Sequence, residues 1–258
     1  MATVKELMSL EGRVSIVTGG ATGIGYQMAT GLAEAGSNLV ICSRRLEACE
    51  QAAQKLEKLG VTALALTCDV TKPEQVEAMK DAVMKKFGRV DVLVNNAGRA
   101  WIAPPEDTPL GGWQKVFDLN ITAPFICAQV LGREMIKAKR GRIINIASVA
   151  GLVGRDANTY NSIAYCASKG ALVNFTRDLA VKWARHNIRV NAICPGFFVT
   201  SLNEKMLEET MGTVVRGIPL GRTGGPDDLK GIVVLLASDA SNFMTGAIIP
   251  VDGGAVAW

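Results

Sequence analysis

Seven short apolar runs recur along this chain, at residues 13–18, 38–42, 61–70, 90–94, 142–147, 188–194 and 246–251. Between them lie segments whose apolar residues return every three or four positions, the period of a helix packed on one face. Runs this short and this continuously apolar predict strands buried on both sides, as in parallel sheets covered by helices. The alternation therefore predicts an α/β fold: a doubly wound parallel sheet of about seven strands with helices on both faces. No linker, internal repeat or low-complexity stretch interrupts the 258 residues, so a single domain over 1–258 is expected.

The first strand runs into Gly19-Gly20-Ala21-Thr22-Gly23-Ile24-Gly25, and a helical pattern follows to about Gly36. A glycine turn in that setting lets the backbone approach a phosphate, while the helix N-terminus supplies N–H donors and positive potential. The second strand ends in Ser43-Arg44-Arg45. A chain selecting NAD usually places an acid here to hold the ribose 2′-hydroxyl, yet none occurs before Glu47. Guanidinium groups suit a 2′-phosphate, so NADP(H) is expected over NAD(H). The plainer alternative is that both arginines solvate the start of the next helix. The third strand ends in Asp69-Val70. Asp69 could accept a hydrogen bond from an adenine amino group, or cap the helix announced by Thr71 and Pro73. The fourth strand leads into Asn95-Asn96-Ala97-Gly98. Asn120 then stands in a helical segment between Leu119 and Ile121, where its amide needs partners from buried backbone or water.

Tyr165 and Lys169 are four apart, so on a helix they lie one above the other. An isolated tyrosine titrates near ~10 and is protonated at neutral pH. A fixed ammonium beside it favours the phenolate and makes it a workable general acid/base. Ser148 lies seventeen residues upstream at the end of the fifth strand, where open α/β sheets bind their ligands. A tyrosine and a lysine at this spacing also occur as an ordinary surface pair, so their company decides the reading.

Several function classes are disfavoured. The net charge is +4 with basic and acidic residues interspersed, so no nucleic-acid face is expected. No apolar run reaches the length of a membrane span and the N-terminus lacks a signal-peptide core, which predicts a soluble, cytoplasmic protein. Six cysteines occur singly, as reduced thiols would. His186 is the one histidine, at a predicted helix end. It leaves Cys166 without an activating base, and no metal site or Ser-His-Asp triad is expected.

Thr18-Gly19-x-x-x-Gly23-Ile24-Gly25, Asn95-Asn96-Ala97-Gly98, Asn120, Ser148, Tyr165-x-x-x-Lys169 and Pro195-Gly196 occur in that order from about residue 10 to 254. With them the chain resembles the short-chain dehydrogenase/reductase family, near its 3-oxoacyl reductase and gluconate 5-dehydrogenase-like members. The resemblance implies a Rossmann-type NAD(P)-binding domain that transfers a hydride between nicotinamide and a carbonyl or secondary alcohol. It implies Tyr165 as proton donor and acceptor, and Ser148 as holder of the substrate oxygen. Lys169 would bind the nicotinamide ribose and lower the tyrosine pKa, and Asn120 would support a proton-relay water. Asn95 to Gly98 would stabilise the sheet near the adenosine. Pro195, Gly196, Val199 and Thr200 would line the nicotinamide side, with Thr200 holding the carboxamide. Two features depart from the pattern. The gap from Ser148 to Tyr165 is a few residues longer than is common, and Thr22 stands where many NADP-preferring relatives carry a basic residue.

For substrate, Trp101, Ile102, Pro104, Pro105, Leu152, Val153, Phe197 and Phe198 would form an apolar pocket suited to a 3-oxoacyl thioester or hydrophobic ketone. Arg155, Asp156, Asn158 and Asn161 would equally suit a polyol or sugar acid. A non-catalytic nucleotide-binding protein, or an epimerase or dehydratase on the same fold, is the rival reading. An amphipathic segment with Met206, Leu207 and Met211 predicts a lid around 197–218. Leu172, Phe175, Leu179 and Trp183 form one helical stripe, and Trp258 ends an apolar terminus. By resemblance these pair subunits in a homotetramer.

Overall fold

The computed structural model describes residues 1–154, 161–199 and 211–258. Seven strands, β1 (Val14–Thr18), β2 (Asn38–Ser43), β3 (Ala63–Thr67), β4 (Val92–Asn95), β5 (Gly141–Ile146), β6 (Ile188–Pro195) and β7 (Ile248–Val251), form one sheet in the order β3-β2-β1-β4-β5-β6-β7. Every pairing is parallel. Chain order reverses between β1 and β4, which opens a crevice at the carboxyl ends of those two strands.

β1, β4 and β5 are buried along their whole length because each face of the sheet carries helices. The two-residue period of a strand divides their side chains between two cores. Ile16, Val40, Leu93 and Ile143 face one way, towards α4 (Pro73–Phe87), α6 (Ala123–Ala138) and α7 (Ile163–Trp183). Val17, Leu39, Val94 and Ile144 face the other way, towards α2 (Gly23–Glu34), α3 (Leu46–Glu57) and a later helix, Lys230–Ala237. The edge strand β7 admits Pro250, whose missing N–H would leave a gap in a central ladder.

β3 is shorter than the predicted 61–70. At its start the Asn38 side chain takes the Thr62 N–H at 2.9 Å. Beyond Thr67, the Asp69 carboxylate accepts the Thr71 N–H at 3.0 Å and the Thr71 hydroxyl at 2.7 Å. This turn draws the chain out of the ladder just before Pro73 opens α4. Asp69 therefore shapes the approach to the helix, while Lys72 occupies the cap position itself.

Asn120 is not in a regular helix. It sits in a π-turn, Asp118–Thr122, between α5 (Leu110–Phe117) and α6. Along the apolar stripe of α7, Leu172 is buried, and Phe175, Leu179 and Trp183 are partly buried against the core. Trp183 packs on α6 at Gly132, where an added Cβ would run into its ring. No helix among the described residues is long and apolar enough to cross a membrane.

Candidate active site

The carboxyl end of β5 continues through Ala147 to Ser148. Ser148 caps the 3-10 turn Val149–Gly151, its Oγ accepting the Ala150 N–H at 3.1 Å. Gly151 presses that turn against α7: a Cβ there would stand 2.5 Å from the carbonyl carbon of Lys169. Only a glycine permits this contact, so the turn that Ser148 caps is seated on the Lys169 backbone.

Tyr165 projects half-buried from the first turn of α7, and Lys169 follows one turn later with 4% of its surface exposed. The Lys169 Nζ donates to the Ile146 carbonyl at 2.6 Å and lies 5.6 Å from the centre of the Tyr165 ring. Burial pushes this lysine down from its ordinary value to about 8, with Cys194 opposing the shift. The group remains mostly an ammonium at neutral pH, held where water would otherwise solvate it.

Asn120 is fully buried and all its amide protons are engaged. Nδ2 donates to the Arg99 carbonyl and to Ser168 Oγ, each at 2.9 Å, and Oδ1 accepts the Arg99 N–H at 2.9 Å. Gly98 closes the same corner, since a Cβ there would lie 3.3 Å from Asn120 Oδ1 and 3.6 Å from Lys169 Nζ. The structure thus brings Gly98, Asn120, Tyr165 and Lys169 together, beside the turn that carries Ser148.

Across the crevice, the glycine turn after β1 is pinned to the loop after β4. Thr18 Oγ1 accepts the N–H groups of Asn96 and Ala97 at 3.0 and 3.1 Å, and Asn96 Nδ2 donates to the carbonyls of Thr18 and Gly19 at 2.9 and 3.1 Å. Gly25 is required by that packing: a Cβ on it would meet Asn96 Nδ2 at 2.4 Å and the Gly19 carbonyl at 2.6 Å. Gly19 and Gly23 have φ of +63° and +56°, which L side chains rarely adopt. Thr22 is the N-cap of α2 but makes no side-chain cap, so the first N–H groups of the helix, from Gly23 to Gly25, are open to an anion. Ile24 packs inward against the core.

Beyond β2, Ser43 Oγ accepts the Arg45 N–H at 3.2 Å, turning the chain so that Arg44 and Arg45 are both exposed. Neither guanidinium hydrogen-bonds to any described residue. Asp69 is held below the usual carboxylate range. Burial alone would raise it, but the Thr71 hydrogen bonds and the charges of Arg44 and Lys72 outweigh that. The Val70 side chain belongs to the core. On the far side, Gly196 donates its N–H to Val251 at 3.0 Å and rests on Asp252, 2.8 Å from where a Cβ would stand. Val199 is exposed, and Thr200 lies outside the described residues, as do Arg155, Asp156, Asn158, Met206 and Leu207.

Phe198 is buried against Gly224 and the core on the α2 side. Trp101 lies over Gly112 of α5, 2.6 Å from where a Cβ would stand. Its carbonyl accepts the buried Ser162 hydroxyl at 2.7 Å, and Ala103 N–H donates to Asn161 at 3.0 Å. The loop after β4 is thereby tied to the residues just ahead of Tyr165. Ser162, Ser168 and Gly151 were not singled out by sequence. A serine flanking a helix has no periodic signature, and nothing local marks which glycine meets another backbone.

No disulfide joins the six cysteines and five of them are buried; burial raises the Cys42, Cys127 and Cys194 thiols. His186 lies in the 3-10 turn that follows α7. Among the described residues no group of three His, Cys, Asp or Glu side chains is placed to hold a metal.

Comparison with known proteins agrees with this arrangement. A family profile described as enoyl-(acyl carrier protein) reductase matches residues 19–256. The chain is 39% identical over 253 residues to 5-keto-D-gluconate 5-reductase of Escherichia coli (strain K12), covering 97% of this chain and 98% of that one. It is 38% identical over 252 residues to the rhamnolipids biosynthesis 3-oxoacyl-[acyl-carrier-protein] reductase of Pseudomonas aeruginosa, covering 95% and 97%. Among solved structures, a gluconate 5-dehydrogenase from Burkholderia cenocepacia J2315 in complex with NADP and tartrate superposes with a TM-score of 0.93 at 34% identity. That match covers 99% of this chain and 100% of the other. The chain belongs to the short-chain dehydrogenase/reductase family, and it is an oxidoreductase acting on the CH–OH/C=O pair.

Proposed function

We propose that this enzyme reduces a small-molecule ketone with NADPH, and oxidises the matching secondary alcohol in reverse, using Tyr165 as the acid/base. The observation that carries this reading is the buried Lys169 ammonium, 5.6 Å from the Tyr165 ring and one helical turn away. An ammonium there favours the phenolate, so the hydroxyl can release and recover a proton near neutral pH. Ser148 Oγ holds the substrate oxygen, and Tyr165 delivers the proton to it as the carbon is reduced. Asn120 supports the proton path behind Lys169. When bound, the nicotinamide supplies the hydride, and the protein's part is orientation and proton control.

The open N-terminus of α2 and the Gly19-Gly23-Gly25 turn suit a pyrophosphate. Asp69 and Val70 would line the adenine, and Asn96, Ala97 and Gly98 the ribose side. Pro195, Gly196, Val199 and Thr200 would flank the nicotinamide. Ser43, Arg44 and Arg45 would receive the 2′-phosphate, so NADP(H) is favoured over NAD(H). Arg44→Ala is expected to weaken NADPH binding ten- to a hundredfold, since one charge-assisted contact contributes ~1.5–3 kcal/mol, and to leave NADH little changed. Equal affinity of the wild type for both nucleotides, measured by fluorescence titration, would refute the preference.

The four segments that flank the site expose Ile102, Val153, Ile163 and Val199. This apolar rim supports a ketone with a hydrophobic arm, such as a 3-oxoacyl thioester. A sugar acid or polyol is the second reading, favoured by the 39% identity to a ketogluconate reductase. A panel of both substrate types, followed by absorbance of the reduced cofactor, separates them; retention of cofactor without consumption on any substrate would sink both.

The chain would act as one domain, with a lid around 197–218 whose downstream end is anchored where Val214 and Ile218 pack with Phe197 and Ala255. The absence of disulfides among the cysteines suits a cytoplasmic setting. With the α7 stripe absorbed, Phe125 on α6, Val181 on α7, Phe243 and Trp258 remain exposed, and these would meet neighbouring subunits in a homotetramer. Light scattering at micromolar concentration should give four times the mass of one chain. A monomer there would end the idea.

A further inference from the structure

Ser168, the residue before Lys169, is fully buried on the inner side of α7. Its hydroxyl is engaged in both directions. Oγ accepts one Asn120 Nδ2 proton at 2.9 Å and donates to the Tyr165 carbonyl at 2.8 Å. Asn120 in turn grips the loop after β4 through both the N–H and the carbonyl of Arg99. A continuous set of hydrogen bonds therefore runs from that loop, through the π-turn, to the backbone of Tyr165. Buried chains of this kind polarise and strengthen one another. They also fix distances that helix packing alone leaves loose.

A serine that bonds back to the carbonyl three residues earlier competes with the regular helix ladder and tends to bend it. Here the carbonyl that accepts the bond lies in the first turn of α7, from which Tyr165 projects. We propose that Ser168 is a positioning residue: it sets the height and angle of Tyr165 against Asn120 and the loop after β4, and so the reach of the phenol to the substrate oxygen. The role extends past packing, because an alanine would fill most of the same space but leave an Asn120 N–H unpaired in a site closed to water. The inference rests on Tyr165 being the acid/base.

The test compares Ser168→Ala and Ser168→Thr with the wild type in steady-state alcohol oxidation, across pH. Ser168→Ala is expected to lower kcat by about tenfold, since small misplacement of a reacting group has effects of that order. KM and cofactor Kd should stay within about twofold, and the rising, acid-side limb of the kcat profile, where Tyr165 must lose its proton, should move up by about half a pH unit or more. Ser168→Thr, which keeps the hydroxyl, should recover most of the turnover. Wild-type kcat and pH limb in Ser168→Ala, even with a lower melting temperature, would overturn the proposal. Should that variant fail to fold, Ser168→Cys decides. Its thiol is a weak partner for both bonds, so a several-fold fall in kcat with a shifted limb supports the role, and an unshifted limb at wild-type kcat overturns it. Tyr165→Phe run alongside separates the two levels. Retained turnover there defeats the acid/base reading itself, whereas an inactive Tyr165→Phe beside an unaffected Ser168→Ala defeats only Ser168.

Discussion

Tyr165→Phe is expected to leave the fold and nucleotide affinity intact and to lower turnover by ~100-fold at least, and towards ~10⁴-fold, the range over which a positioned acid/base contributes. The substitution removes one oxygen and little else. Tyr165 is half-buried at the start of α7, and its ring, which faces the Lys169 ammonium at 5.6 Å, is retained by phenylalanine. The ammonium keeps its hydrogen bond to Ile146 and the turn bearing Ser148 keeps its seat on Gly151. What is lost is the proton that must reach the substrate oxygen as the carbonyl is reduced. Ser148 cannot replace it, because a serine hydroxyl beside no base is a poor proton donor at neutral pH. Circular dichroism and cofactor fluorescence should therefore match the wild type while single-turnover reduction stalls. A folded Tyr165→Phe enzyme with near-normal rates would show that the proton comes from elsewhere.

The fold was legible in the sequence because its determinants are local and repeated. Each strand is a short run of Val, Ile and Leu, and burial on both faces leaves no alternative reading for β1, β4 or β5. The candidate site was legible where a residue type has few other uses, as with the glycines after β1 and the Tyr165–Lys169 pair. It was obscure where tertiary contact sets the geometry. The π-turn around Asn120 reads as ordinary helix in one dimension, since nothing in Asp118 to Thr122 announces a wider turn. The end of β3 was overextended because Leu66 to Val70 looks apolar enough to pair, while a side-chain turn at Asp69 breaks the ladder. Periodicity alone favoured absorption of the α7 stripe by the sheet but did not say what it packs against. Gly132, far from Trp183 in sequence, admits its ring and seats that end of the stripe within the chain. Phe198 shows the same dependence on a distant glycine, Gly224.

Lys169→Met is expected to change the pH dependence of stability in the unliganded protein, in a direction fixed by burial. The folded lysine titrates at about 8, against an ordinary value of 10.5, because burial disfavours its charged form. Between those two values the unfolded chain binds more protons than the folded one, so stability rises with pH across that window. Below about pH 8 the full cost of burying the charge is present, on the order of 3 kcal/mol at 1.36 kcal/mol per unit; by about pH 10.5 it is gone. Methionine fills a similar volume and does not titrate. The wild type should thus gain on Lys169→Met by up to ~3 kcal/mol between pH 7 and 10.5, or roughly 6–12 °C in melting temperature for a chain of this size. Taking the difference between the two proteins at each pH cancels every other titrating group, and the loss of the Ile146 hydrogen bond enters as an offset, so the change of that difference with pH reports the lysine. The same variant should be inactive and bind cofactor weakly, because the ammonium that is costly to bury is the one that faces Tyr165. An exposed lysine would cost nothing and would influence the phenol little through water. A gap between the two melting curves that stays constant from pH 7 to 10.5 would show that Lys169 is not held in the dry, charged state on which the acid/base role depends.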